Sequence, residues 1–407
     1  MKQDSDNTYI RVGTTLYKRV KKPLISGKDE DMLIVWNLDT IKQDYPNNWR
    51  EVIKGIDKYN GFCTIPEHLD YRRSYQGFYN LYEPVVHEPK EGTYTTILQF
   101  ITHIFGEQYE LGLDYLQHLY TQPRQRLPVL CLVSSEGNTG KTTFLNLLKS
   151  VFGNNMTFNT NADFRSNFNA DWVSKLIIAI DEVLLDRRED SEKIKNLSTA
   201  KSYKAEAKGK DRFEVEFFGK IILCSNNEEN FMVIGLQETR YWVRKVPTLP
   251  SLDPDFLWKL EAEIPAFLDF LLHRKLATKN SSRMWFTPEQ IATSALRKVK
   301  SYYVNKVELE LYETIREIME AKEVLDFCLT NTHAKILLER SGIKVSRSQV
   351  RHILEDQWRL KQYPNASTFT TYLYDHSGYL LELDGKGRYY RITQQDLERI
   401  YSGMLTF

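Results

Sequence analysis

The chain has 407 residues, which at about 150 residues per domain predicts two to three domains. With 42% hydrophobic and 27% charged residues, its usage is that of a globular protein, which excludes disordered, collagen-like and coiled-coil readings. The 55 Lys and Arg against 54 Asp and Glu leave a net charge of +1, so a polyanionic partner must be held by local basic patches and a histone-like binder is excluded.

Cys63, Cys131, Cys224 and Cys328 lie far apart, with no Cys-x-x-Cys or Cys/His cluster for zinc or a disulfide framework. The longest apolar runs, Leu127–Val133 and Leu176–Ile180, fall well short of the roughly 20 residues of a membrane helix. The polar start Met1-Lys2-Gln3-Asp4-Ser5-Asp6 is unlike a secretory signal. The expectation is a reducing, cytoplasmic setting and no membrane partner.

In chain order, apolar and polar residues alternate from Tyr9 to Val20 around Gly13-Thr14, which predicts a hairpin, with another strand at Leu33–Trp36. Residues 1–93 form an α+β region of no assigned role. Leu98, Ile101, Phe105, Leu113, Leu116 and Tyr120 fall near helical spacing, interrupted around Gly106, so 94–126 reads as a small helical unit. Leu127–Val133 is a continuous apolar run followed by glycines and then helical spacing from Phe144 to Val151: buried strand, loop, helix. Leu176–Ile180 and Lys220–Cys224 are further runs of this kind, as strands of a parallel sheet are when both faces are covered. The fold class expected is α/β, with a core over 127–278. A helix is predicted over Phe256–Arg274, and 279–407 is a separate region with an amphipathic stretch at Val299–Met319, a helix at Ser346–Arg359, and strands at Thr370–Tyr374 and Arg388–Ile392.

The chemistry concentrates in the core. Ser135-Glu136-Gly137-Asn138-Thr139-Gly140-Lys141-Thr142 joins the first core strand to its helix, the setting a phosphate-binding loop requires. Amides of Gly137, Asn138, Thr139, Gly140 and the helix start, Thr142 and Thr143 included, would face phosphate oxygens, Lys141 would neutralise β and γ charge, and the Thr142 hydroxyl would reach Mg²⁺. Ser135 stands where such loops usually have glycine, and Gly137 is expected to supply the freedom. The second run ends in Asp181-Glu182, at the strand edge where α/β proteins bind ligands. Asp181 would hold the Mg²⁺ shell and Glu182 would polarise an attacking water. The third run ends in Ser225-Asn226-Asn227, where Asn226 could sense the γ-phosphate. Arg240 follows, placed to stabilise transition-state charge from a neighbouring subunit.

This order of elements resembles the superfamily 3 helicases of viruses, phages and plasmids, especially the helicase part of phage and poxvirus-type primase-helicases, in Tyr115–Pro128, Asn138-Thr139-Gly140-Lys141 and Glu238–Trp242. The resemblance covers about residues 95–275. It implies an AAA+-like phosphate-loop ATPase core, with 94–126 as an oligomerisation collar, that binds ATP and Mg²⁺ and forms a homo-oligomeric ring, a hexamer. That ring would translocate on single-stranded DNA or a forked duplex in phage or mobile-element replication, with a primase or other replication protein as partner. In that family the segment equivalent to Ile194–Phe217 is a hairpin that grips DNA in a central pore. Here Lys201–Arg212 carries Lys201, Lys204, Lys208, Lys210 and Arg212 against Glu206 and Asp211, so Lys204, Lys208 and Lys210 are the expected phosphate contacts. The C-terminal region resembles a winged helix in outline: Ser346 caps a recognition-type helix with Arg347 and Arg351, and Tyr389–Ile392 is a wing strand. The alternative is a phosphate-loop switch ATPase that controls assembly without unwinding DNA.

Overall fold

The computed structural model describes residues 8–404 apart from 24, 26–28, 207, 210, 236 and 237. The reading of Met1–Asp6 and the assignment of Lys210 therefore lie outside the described residues.

The centre is a five-stranded sheet built from β1 (Val129–Val133), β2 (Met156–Asn159), β3 (Ile177–Ile180), β4 (Lys220–Ser225) and β5 (Tyr241–Lys245). Its order is β5-β1-β4-β3-β2, and every pairing is parallel. Side chains along a strand alternate between faces, and the sequence divides accordingly. Leu130, Leu132, Ile177, Ala179, Ile222, Cys224 and Trp242 enter one core. Val129, Cys131, Val133, Ile178, Ile180, Ile221, Leu223, Tyr241 and Val243 enter the other. Both faces need apolar residues, which is why β1, β3 and β4 read as uninterrupted runs.

The helices Thr95–Phe105 and Tyr109–Thr121 fall where the helical spacing predicts them, and with Lys141–Phe152 and Phe256–His273 they cover the first face. Gly106 separates the first two because its φ of 52° suits a residue without Cβ. The second face is covered by Trp172, by Ile194 and Leu197 of the helix Arg188–Thr199, and by Ala295, Leu296 and Val299. Those last three open a 28-residue helix, Ser294–Ala321. Its second half, from Val307 to Met319, is buried in a separate C-terminal core with Trp358, Tyr390 and Ile392. One continuous helix thus belongs to two cores.

Before the sheet, Tyr9–Val12 and Thr15–Pro23 form the expected hairpin, extended by Asp29–Trp36 and by a parallel strand, Asp57–Tyr59. After the long helix, Asp326–Leu329 pairs antiparallel with Tyr390–Thr393, and Ser367–Tyr374 pairs with Leu380–Gly387. The helix expected over Ser346–Arg359 is α-helical only over Arg347–Arg351 and continues as a π turn, His352–Gln357.

Candidate nucleotide and nucleic-acid site

Residues 134–140 leave the C-terminal edge of β1 and turn into the helix that Lys141 begins. The left-handed backbone needed for that turn is at Asn138 (φ 54°) and Gly140 (φ 84°). Gly137 is not the flexible point: its backbone lies outside the left-handed region and a Cβ there would meet open space. Gly140 is needed twice over, since a Cβ would also come within 2.9 Å of the Phe100 ring. Neighbouring elements fix the loop: His103 Nε2 bonds the Thr139 carbonyl at 3.0 Å, and the Leu249 amide donates to the Asn138 carbonyl at 2.9 Å.

Ser135 has an ordinary backbone conformation and a partner that the sequence does not announce. Its amide and its hydroxyl both donate to Glu228 Oε1, at 3.0 and 3.1 Å. Glu228 is 8% exposed and also meets Lys245 at 2.9 Å and Lys298 at 3.5 Å. Burial favours its neutral form, but the Lys245 and Ser135 bonds outweigh it and bring the carboxyl to about 2. Lys298 lies on the helix that runs into the C-terminal core, so the loop and that helix share this carboxylate.

Lys141 is 6% exposed and donates from Nζ to Thr139 Oγ1 at 3.0 Å. Burial lowers its pKa, against the attraction of Asp181 and Glu228 among its neighbours. One residue on, the Thr142 hydroxyl donates to Asp181 Oδ2 at 2.7 Å, joining segments 39 positions apart. Asp181 Oδ1 accepts the Glu182 amide at 3.0 Å. Glu182 is exposed and holds φ 53°, a conformation costing a residue with Cβ about 1–3 kcal/mol when imposed. Asn226 is exposed just beyond β4, the strand between β1 and β3, and so stands between the loop and Asp181. The ends are tied together by Ser225 Oγ donating to the Val183 carbonyl at 3.0 Å. Lys141, Thr142, Asp181, Glu182 and Asn226 therefore share one edge of the sheet.

Arg240 does not join them. The Val129 amide donates to its carbonyl at 2.9 Å, which puts Arg240 at the start of β1, the opposite edge. Five residues of strand, about 16 Å, separate that position from the loop of the same chain. Its guanidinium pairs with Glu238, which also meets Lys195 at 3.5 Å.

The expected hairpin over Ile194–Phe217 is shorter. Residues up to Thr199 are helical, because Ile194 and Leu197 keep helical spacing into the core, and the hairpin itself pairs Ser202–Ala205 with Phe213–Glu216. The returning strand brings Glu214 opposite Lys204 at 3.6 Å, and Arg212 Nε meets Glu206 at 2.6 Å. The basic excess read over Lys201–Arg212 is thereby reduced in the folded unit. Lys201 and Lys208 are exposed, with no ion pair among the described residues, and Gly209 turns beside Lys208 at φ 73°. Asn169 anchors the hairpin base through the Lys204 carbonyl and the Glu206 amide, at 3.0 and 2.7 Å. A cavity of about 490 Å³ flanks it, lined in part by Arg165, Lys193, Lys204 and Arg212.

The C-terminal helix start faces the core, not solvent alone. Ser346, Arg351 and His352 line a cleft of about 610 Å³ opposite Glu192, Lys195 and Glu238, and Arg351 Nε is committed to Glu355 at 2.7 Å. Among the described residues no helix is long and apolar enough to cross a membrane.

Residues 132–240 match the model described as "Family of unknown function (DUF5906)", a stretch running from β1 to Arg240. No curated protein matches the chain. Among solved structures, the apo C-terminal region of NrS-1 is similar at 15% identity and a TM-score of 0.55, covering 94% of this chain and 95% of that one. Its A form gives 15% identity, a TM-score of 0.54 and coverage of 95% and 96%. The likeness spans nearly the whole of both chains and establishes a shared fold.

Proposed function

We propose that this chain is an ATP-driven DNA helicase of the superfamily 3 kind, working as a ring, a hexamer, on single-stranded or forked DNA. The observation that carries the reading is the bond from Thr142 to Asp181 beside a buried Lys141. A hydroxyl and a single carboxylate suit Mg²⁺, which keeps waters and takes its other oxygens from phosphates. Bound Mg²⁺ would neutralise phosphate charge; every other role falls to side chains. Lys141 would bind the β and γ oxygens, its exclusion from water strengthening the attraction. Glu182, at the exposed strand end, would orient and deprotonate the attacking water, and Asn226 would hold that water against the terminal phosphate. The distance of Arg240 from its own loop supports action on a neighbour's nucleotide.

The Lys204–Glu214 and Arg212–Glu206 pairs favour the alternative, a switch ATPase with no grip on DNA, because they neutralise part of the hairpin's charge internally. ATP hydrolysis by the pure protein with and without oligothymidine separates the two. Strong stimulation that is lost in Lys141→Ala supports the helicase, whereas turnover indifferent to DNA supports the switch.

A further inference from the structure

The C-terminal region carries three stacked rings that the roles above do not use. Tyr389 lies 4.5 Å from Tyr363 at 13° and 4.5 Å from Phe369 at 29°. A ring has two faces, so Tyr389 is sandwiched and the three form a ladder. The hairpin is shaped to seat it: a Cβ on Gly385, opposite Phe369, would come within 2.5 Å of that ring. The inner end is closed, with Phe369 8% exposed and His333 5.8 Å beyond it. The outer end is open, with Tyr363 40% exposed and residues 364–368 exposed after it.

The stack thus ends at a ring that is partly open to water. Cations lie on the two segments that carry the stack. The Tyr363 amide donates to the Tyr389 carbonyl at 2.9 Å, which sets Lys361 and Arg388 on adjoining segments, both exposed and with no ion pair among the described residues. Arg391 interacts with Tyr363 but is committed to Asp326 at 2.9 Å. An open aromatic face beside exposed positive charge is complementary to one chemistry in particular, a flat base on a phosphate backbone.

We infer that Tyr363 is a stacking platform for an unpaired base of single-stranded nucleic acid, with Lys361 and Arg388 on the flanking phosphates. The inference rests on the nucleic-acid reading above, but it uses neither the hairpin nor the ATPase edge. Base stacking tolerates any sequence, so the platform holds a strand without selecting it.

The test uses the full chain and an oligothymidine carrying 5-iododeoxyuridine, with binding followed by anisotropy and photocrosslinks mapped by peptide. Tyr363→Ala should weaken binding by about fivefold or more, Tyr363→Phe should restore it to within about twofold because the ring face is kept, and crosslinks should map to Tyr363. Tyr363→Ala also gives up the stack on Tyr389, so a slightly lowered melting temperature with basal ATPase intact is expected, and the crosslink map separates base stacking from structural damage. If the parent binds DNA but crosslinks only through 201–212, and Tyr363→Ala binds as well as the parent, the platform is wrong and the helicase proposal stands. If the parent binds no single strand at all, both fall together.

Discussion

Glu228 takes the amide and the hydroxyl of Ser135 across 93 positions of sequence, at 3.0 and 3.1 Å. This pair explains how the loop does without a glycine at its first position: the serine needs no special backbone angle and is tied down by its side chain instead. The carboxyl's folded value of about 2 lies below its ordinary 4.5, so the stabilisation it brings is fully present above about pH 4.5 and is lost as pH falls through the folded value. Urea unfolding at pH 6 and pH 3 should show the parent losing more stability than Glu228→Gln over that interval. Equal losses would mean that the charge on Glu228 does not hold the loop.

Lys141→Ala and Glu182→Gln should fail differently. The first removes a buried ammonium that nothing else at the loop replaces, so ATP binding and turnover should both fall, turnover by about 100-fold or more. The second keeps shape but cannot accept a proton, so nucleotide affinity should stay within about threefold while turnover stops. Affinity by fluorescent-nucleotide titration and turnover by phosphate release check the pair. Joint loss of binding and turnover in Glu182→Gln would assign that residue a backbone-shaping role, in keeping with its φ of 53°.

What the sequence makes legible follows from how much of an element is buried. β1, β3 and β4 announce themselves because both of their faces are covered, and the loop because Gly140 and Lys141 mark a strand-to-helix turn whose left-handed backbone suits glycine. β2, Met-Thr-Phe-Asn, is a four-residue edge strand whose Phe158 is exposed, and it leaves no pattern to read. Leu380–Gly387 is hidden for the same reason, being mostly exposed along its length. Sequence order places Arg240 after Asn226 but is silent on which edge of the sheet it occupies, since that depends on β5 running parallel to β1. Glu228 carries no pattern of its own in the sequence; the one signal for it is the serine at the position where glycine is usual.

Arg240 stands at the edge away from its own loop, so its contribution should appear only between subunits. Mixing Arg240→Ala with Lys141→Ala protein should restore part of the ATPase activity, because some interfaces then combine an intact loop with an intact arginine. Each variant alone should be down by about 1000-fold if the arginine acts as a transition-state cation. Phosphate release across a mixing series, with mixed assembly confirmed by differently tagged subunits, is the measurement. No recovery in confirmed mixed assemblies would leave the Glu238 pair as the whole role of Arg240.

The hairpin's cations should not be equivalent, and their ion pairs say which matter. Lys204 and Arg212 face Glu214 and Glu206, so each must give up a partner to take a phosphate, although exposed pairs of this kind are worth only about 0–1 kcal/mol. Lys208 stands beside the turn at Gly209 with no ion pair among the described residues. Lys208→Ala should therefore weaken single-stranded DNA binding more than Lys204→Ala, and should reduce the slope of log affinity against log salt by about one unit for each phosphate that Lys208 neutralises in the parent. Because such side chains would touch backbone and not base edges, the weakening should be the same for oligothymidine and for mixed sequence. Basal ATPase should survive in both variants, since the sheet edge carrying Lys141 and Asp181 is untouched, while stimulation by DNA and unwinding of a fork should fall together in Lys208→Ala. A Lys208→Ala protein that unwinds as well as the parent at equal salt would remove the hairpin from the DNA path. Lys361 and Arg388 beside Tyr363 would then be the cations left to hold the strand.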